Sequence, residues 1–186
     1  MGLPNLWVIF ARFMVREPLT RVPWHRASIK VRGESGASMS AIENQTFDVA
    51  AAQQLLTDVF APWIQDLQLT VEAVHPPGSE GGAGAVLRMK FSERICRDGG
   101  IICGQALMSL ADTAMVFAVA AASGQYRPMT TVDQTSHFLK PASNADVLAD
   151  ARIVRMGRSM AFGQVMLTPA FDTKPVAMVS TAYALL

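Results

Sequence analysis

The sequence has few cysteines, few tyrosines and few charged residues. Its 186 residues include 2 Cys and 2 Tyr, 17% of them are charged, and the formal net charge is +1. Cys96 and Cys103 cannot form a disulfide framework and lack the paired spacing of a zinc site, which favours a reducing, cytoplasmic location. Without a Lys/Arg-rich run, nothing in the charge pattern points to a nucleic acid partner. We therefore predict no nucleic acid binding.

Long apolar runs and clustered metal ligands are also missing. The longest uninterrupted apolar run is residues 114–122, about half of the ~18 residues that a membrane-spanning helix needs. The stretch at residues 6–11 is followed by its first charge and has no cleavage pattern behind it, unlike a signal peptide. His25, His75 and His137 are far apart and have no cysteine cluster beside them. We predict no membrane partner, no metal site and no cofactor.

The composition changes near Met39. Residues 1–38 carry six basic and two acidic side chains and three prolines, without a sustained hydrophobic period. The remainder of the chain is hydrophobic enough to build a core. We predict that residues 1–38 are a basic N-terminal extension, flexible or loosely docked, and that one domain spans residues 39–186. A basic organellar or membrane-surface leader is the alternative for the first segment.

Hydrophobic periodicity predicts the element order α-β-β-α-β-β-β-β. Asp48–Gln65 has helical spacing with Asp48 as a candidate N-cap, and alternating stretches within residues 67–91 predict a hairpin. The run from Gly104 to about Ser123 is apolar on nearly every face, so its helix must be buried. Four further strands are predicted at residues 130–139, 146–156, 160–168 and 175–185. Their short joints favour antiparallel neighbours.

An antiparallel sheet and one nearly all-apolar helix predict the α+β fold class. Only a sheet that wraps around the helix can cover all of the helix faces. We therefore expect a sheet curved around a long central helix.

The segment from residue 99 to residue 112 carries the candidate chemistry. Gly99, Gly100 and Gly104 permit close approach of a ligand at the start of the helix. Free amides and the helix dipole at that end can hold a developing oxyanion. A tight strand-to-helix turn explains the same glycines without any function. Asp112 lies about 12 Å further along the helix axis, so only a second subunit can bring it and Gly104 to the same carbonyl.

Asp112 is surrounded by apolar residues in a helix that is predicted to be buried. Burying a carboxylate without partners costs several kcal/mol. Asp112 is therefore either a hydrogen-bonded structural residue or a catalytic carboxylate, and the residues alone favour neither.

Several ordered motifs resemble the hotdog-fold acyl-CoA thioesterases of the phenylacetate-degradation (PaaI) type. The motifs are residues 100–105, 110–114, 131–133, 138–142 and 157–162. The resemblance extends from about residue 48 to residue 186 and agrees with the predicted element order. It implies a hotdog fold and hydrolysis of an acyl-CoA thioester across a dimer interface, in a homodimer or a tetramer made of two dimers.

The resemblance also implies three catalytic roles. Asp112 would act as nucleophile or as general base for water, and the backbone amide of Gly104 from the other subunit would bind the thioester oxygen. Thr131 matches a hydroxyl that helps to place the attacking water. An ordinary strand threonine is the plain alternative for Thr131.

Three positions depart from the pattern of the family and are candidate substrate-binding residues. Arg97 stands where relatives have Asn or Gln, Cys103 replaces a His and Gln105 replaces a Gly. Arg97 can assist the oxyanion or CoA but cannot accept a hydrogen bond, whereas Gln105 can supply the missing amide. A nucleophilic Cys103 is disfavoured because no His lies nearby in the sequence, and free Cys is commonly a small buried side chain.

Arg155, Arg158 and Ser159 lie around a predicted turn where relatives place basic and hydroxyl residues against CoA phosphates. Arginine suits phosphate because of its planar fork of donors, although a solvated hairpin explains these residues equally well.

Two other functions of the protein stay open. One is a hotdog module that binds acyl-CoA without cleaving it, which the three departures favour. The other is an enoyl-CoA hydratase or dehydratase, which usually pairs a His with the carboxylate.

Overall fold

The computed structural model describes residues 47–186. The predicted extension at residues 1–38 and the predicted domain boundary at residue 39 lie outside this part. The helices are α1 (Val49–Val59), α2 (Pro62–Gln65) and α3 (Gly104–Ser123), with a 3-10 turn at Glu93–Ile95. The strands are β1 (Leu69–His75), β2 (Gly84–Met89), β3 (Cys96–Arg97), β4 (Ile101–Ile102), β5 (Met129–Phe138), β6 (Val147–Met156), β7 (Met160–Pro169) and β8 (Ala177–Leu185).

Six of the strands form one antiparallel sheet in the order β1-β2-β6-β7-β8-β5. The predicted β1–β2 hairpin is confirmed, and β6, β7 and β8 are neighbours as their short joints predict. The joint after β5 is different, because β5 pairs with β8 and β6 pairs with β2. Expecting β5 and β6 to be neighbours was wrong. Their joint is no tight turn: it crosses the fold, and its Ala142 carbonyl accepts a hydrogen bond from the Ile102 amide at 2.8 Å.

The helix α3 has the bounds that its apolar run predicts and forms the centre of the core. Its buried residues include Leu110, Met115 and Phe117, and Gly124, in the left-handed conformation, ends it. By length and composition α3 is long and apolar enough to cross a membrane. The sequence analysis did not detect this because it considered only uninterrupted apolar runs. However, 67% of its apolar window is buried inside the protein, as is usual for the core helix of a hydrophobic fold.

Close packing of α3 on the sheet depends on a glycine in β7. A Cβ atom on Gly163 would lie 2.3 Å from Cε of Met115 and 2.8 Å from the carbonyl oxygen of Arg152. No side chain fits at this distance, so Gly163 allows the helix to approach the strand. The sheet therefore wraps tightly around α3.

The helix predicted over residues 48–65 is two helices. Asp48 caps α1 as predicted, because its Oδ1 accepts a hydrogen bond from the Ala51 amide at 2.9 Å. The break falls at Phe60, which is extended, and at Ala61, whose φ of −59° and ψ of 150° are not helical. A residue that precedes proline is disfavoured in the helical conformation, so Pro62 explains why α1 stops and α2 begins.

Candidate active site

A short hairpin leads into α3. The strands β3 and β4 pair with each other, and Gly99 and Gly100 between them have φ of +82° and +69°. Only glycine adopts these angles without strain, so these two glycines form a turn, but it joins two strands rather than a strand and a helix as the alternative expected. Strands of two residues leave no periodic pattern, and the sequence did not predict them. The Cys103 amide donates to the Ile95 carbonyl at 2.9 Å and fixes the end of the hairpin.

Gly104 is the first residue of α3, and the ring of Phe138 packs against it. A Cβ atom on Gly104 would lie 3.0 Å from Cζ of Phe138, which explains the glycine at this position. Cys103 is the N-cap residue and makes no side-chain cap hydrogen bond. The first amides of a helix lack intrahelical acceptors. The start of α3 is therefore able to bind an acceptor such as a carbonyl oxygen.

Asp112 has two side-chain hydrogen-bond donors on the same oxygen. Thr131 Oγ1 donates to Asp112 Oδ1 at 2.9 Å, and the Tyr183 hydroxyl also donates to Oδ1. The Tyr183 hydroxyl also lies 2.9 Å from the Asp112 carbonyl oxygen. No donor within residues 47–186 forms a hydrogen bond with Oδ2. Asp112 is half-buried rather than fully buried, so it combines a structural anchor with an unoccupied carboxylate oxygen.

A β-bulge in β5 turns Thr131 toward Asp112. Thr131 lies opposite Tyr183 in the β5–β8 ladder, but Asp133 already lies opposite Ala182. Val132 is therefore the extra residue, and its side chain is 60% exposed. In a regular strand Thr131 and Gln134 would point to opposite faces. With the bulge, both side chains line the same cavity.

Tyr183 is a site residue that sequence reasoning missed. Its side chain is 1% exposed. Burial, and after it the negative charge of Asp112, raises the pKa of the Tyr183 phenol well above its usual range. The phenol therefore stays protonated and remains a hydrogen-bond donor. The available signal was an inward-facing tyrosine on the last strand, since a buried tyrosine hydroxyl usually has a partner.

Asp112 lies in the wall of a cavity of about 630 Å³. Most of this wall is apolar, with Phe60, Trp63, Met108 and Tyr126 among its larger side chains. Among the residues that line it, Asp112 is the only acidic or basic one. Such a cavity suits a neutral, hydrophobic group placed next to a carboxylate.

Gly104 opens on a different cavity, of about 400 Å³. Its lining includes Arg97, Phe138 and Lys140, and it shares no residue with the Asp112 cavity. One chain therefore brings Asp112 and Thr131 together but leaves Gly104 and Arg97 elsewhere. This separation agrees with the distance along α3 that the sequence predicts.

The other predicted site residues do not line the Asp112 cavity. Gln105 is exposed, and Cys103 is half-buried at the helix start. Arg155, near the end of β6, and Arg158 and Ser159, in the turn between β6 and β7, are exposed. Arg127, which the sequence analysis did not single out, joins this turn by donating to the Arg158 carbonyl at 3.5 Å. Binding roles for these residues remain predictions.

The structure also bears on a possible metal site and on the reactivity of Cys96. Within residues 47–186, no cluster of three or more His, Cys, Asp or Glu side chains is placed to hold a metal ion. Burial, and next the nearby Cys103, raises the pKa of the Cys96 thiol. A thiol of this kind is a poor nucleophile because its thiolate is disfavoured.

Six antiparallel strands wrapped around a long apolar helix define a hotdog-fold protein, so the predicted α+β class is confirmed. The family model described as the thioesterase superfamily matches residues 99–173, a range that contains α3, Asp112 and Thr131. The resemblance to hotdog-fold thioesterases is thereby confirmed.

Solved structures have the same fold. A candidate thioesterase from a Silicibacter species is 27% identical over 75% of this chain and 92% of its own, with a TM-score of 0.64. Zebrafish thioesterase superfamily member 2 is 23% identical over 74% of this chain and 98% of its own, with a TM-score of 0.63. The E. coli PaaI protein from the phenylacetic acid degradation operon is 18% identical over 74% and 96%, with a TM-score of 0.61. No curated protein sequence matches the chain.

Proposed function

We propose that the protein hydrolyses acyl-CoA thioesters at a site shared between two subunits. The observation that carries this proposal is the Asp112 carboxylate, which is anchored through Oδ1 and lies in the wall of a large apolar cavity. The cavity offers space for the acyl group beside the carboxylate. The family match and the fold support a thioesterase.

The carboxylate can act by either of two routes. As a general base, Asp112 takes a proton from water while the water oxygen attacks the thioester carbon. As a nucleophile, Asp112 forms an anhydride with the acyl group, which water then hydrolyses. In both routes the C–S bond breaks and the CoA thiolate leaves and takes up a proton. The fatty or aromatic acid is the second product.

The developing oxyanion needs a hydrogen-bond donor that is already in position. In the proposal, the amide of Gly104 from a second subunit donates to this oxygen, and the dipole of α3 adds to the stabilisation. The strand β5 forms one edge of the sheet, and exposed sheet edges are usually covered in stable proteins. Because Thr131 lies on β5, a second copy bound along this edge approaches Asp112. We therefore propose a homodimer as the minimum active unit, alone or within a tetramer.

CoA recognition is assigned to basic residues outside the acyl cavity. Arg155, Arg158 and Ser159 are exposed, and the Arg158 carbonyl accepts a hydrogen bond from Arg127, so a phosphate group can reach several basic side chains here. Arg97 lines the Gly104 cavity and is proposed to assist the thioester oxygen or CoA. Gln105 and Cys103 adjoin the same helix start.

The small number of cysteines supports a cytoplasmic location.

Release of free CoA from a panel of aryl- and fatty-acyl-CoAs tests the proposed function. With the full-length protein and a thiol reagent, we expect saturable thiol release from at least one class of acyl-CoA. Saturable CoA binding without thiol release would instead favour the binding module. A change in enoyl-CoA absorbance without thiol release would favour the hydratase. Either of these results would overturn the proposed hydrolysis.

A further inference from the structure

The hydroxyl of Tyr183 reaches Asp112 from the last strand of the sheet. It donates to Asp112 Oδ1, the same oxygen that accepts from Thr131. Tyr183 and Thr131 lie opposite each other in the β5–β8 ladder. Two neighbouring strands therefore direct one donor each at a single carboxylate oxygen.

We infer that Tyr183 is a positioning residue that holds Oδ1 of Asp112 and thereby leaves Oδ2 for the attacking water or the thioester carbon. This inference rests on the proposed function. A carboxylate with one donor can still turn about its terminal torsion, because that torsion is broad. A second donor on the same oxygen restricts the rotation and keeps one defined oxygen for the reaction. Correct placement of a reacting group accounts for a large part of the rate enhancement of enzymes.

The surroundings of Tyr183 support this role. The side chain is buried, and both acceptors of its hydroxyl belong to Asp112, the carboxylate oxygen Oδ1 and the backbone carbonyl oxygen. Its raised pKa keeps the proton on the phenol oxygen, and the hydroxyl donates throughout the pH range in which carboxylates are ionised. Hydrogen bonds to an ionised acceptor are about twice as strong as neutral ones. The contact is therefore strongest when Asp112 carries the charge that either proposed route requires.

Kinetics of Tyr183→Phe separate positioning from substrate binding. Phenylalanine keeps the ring in the core and removes only the hydroxyl. We expect kcat to fall about 10- to 100-fold, the range for losing one hydrogen bond to a charged group, with little change in KM. In an Asp112→Asn background the same substitution should cause no further loss. An unchanged kcat, or a raised KM with unchanged kcat, would overturn the inference.

A double-mutant cycle on unfolding provides a readout that does not require turnover. Asp112→Ala and Tyr183→Phe, alone and together, are unfolded with urea at one fixed protein concentration, since association changes apparent stability. We expect the unfolding equilibrium constants to depart from multiplicative behaviour by about tenfold. The matched control is Tyr126→Phe, because Tyr126 lines the same cavity but makes no hydrogen bond with Asp112. Its cycle with Asp112→Ala should be multiplicative.

The thiol-release assay and the unfolding cycle distinguish failure of the proposed hydrolysis from failure of the positioning role of Tyr183. If the wild-type protein releases no CoA from any substrate, the proposed function fails, while the unfolding cycle still decides whether Tyr183 holds Asp112. If the wild type is active but the Tyr183 cycle is multiplicative, the positioning role fails and the proposed hydrolysis stands.

Discussion

Asp112→Asn should lower kcat for thioester hydrolysis by about 10²- to 10⁴-fold, the range for loss of an acid–base group. The asparagine side chain has nearly the same shape and keeps an oxygen that can accept from Thr131 and Tyr183. It can neither take a proton from water nor attack the thioester carbon. The measurement is thiol release under saturating substrate, with gel filtration and thermal unfolding to show that the variant is folded.

Asp133→Asn is the matched control for this prediction. Asp133 lies two residues after Thr131 on β5, is exposed and does not line the Asp112 cavity. The substitution removes one negative charge from the same strand that carries Thr131. We expect a rate close to that of the wild type. Equal losses in both variants, or more than about a tenth of the wild-type kcat in Asp112→Asn, would contradict a catalytic Asp112.

Gly104→Pro should lower kcat by about 10²- to 10³-fold, as the loss of one oxyanion donor does in other enzymes. Proline removes the amide proton but is well accepted at the first position of a helix. Cys103 has φ of −70° and ψ of 148°, the extended conformation that a residue before proline prefers. The backbone at this position therefore fits proline, and the main chemical change is the lost donor.

Gly104→Ala separates the lost amide from steric effects. Both substitutions place a Cβ atom about 3 Å from the Phe138 ring, as the geometry at Gly104 requires. Only proline removes the N–H group. We expect the alanine variant to retain at least tenfold more activity than the proline variant, measured by kcat in the thiol-release assay. Equal activities would show that the Gly104 amide is not an oxyanion donor.

The regular elements of the fold were predictable because their periodic patterns are strong. The apolar stretch of α3 and the alternating residues of β1 and β2 predicted bounds close to those in the structure. Asp48 marked the start of α1 as its N-cap. Pro62 also indicated the break before α2, but the helical spacing of residues 48–65 led to the prediction of one helix. No residue pattern indicated the path of the chain after β5. A joint of ordinary length allows either a hairpin or a crossing. The choice depends on long-range contacts such as the hydrogen bond between the Ile102 amide and the Ala142 carbonyl.

The candidate site was predictable in part. Asp112 was singled out as a carboxylate in an apolar helix and Thr131 from a resemblance, and the structure places them in direct contact. The bulge at Val132, which turns Thr131 inward, comes from strand pairing and has no local motif. Tyr183 lies 71 positions from Asp112 in the chain, so only the folded sheet brings the two together. The need for a second subunit at the proposed site was inferred from the distance between Gly104 and Asp112 along α3, but the residues that Gly104 would meet there depend on assembly.

Subunit complementation tests most directly whether Asp112 of one chain works with Gly104 of another. Two mixed dimers with the same substitutions are purified through different tags. In the first, one chain carries Asp112→Asn and the other Gly104→Pro, whereas in the second one chain carries both substitutions and the other is wild type.

A shared site predicts about half of the wild-type activity for the first mixed dimer, because one of its two symmetric sites is intact. It predicts almost no activity for the second, in which each site lacks one group. The opposite result, an inactive first dimer and a half-active second one, would place both groups in the same chain and contradict the account.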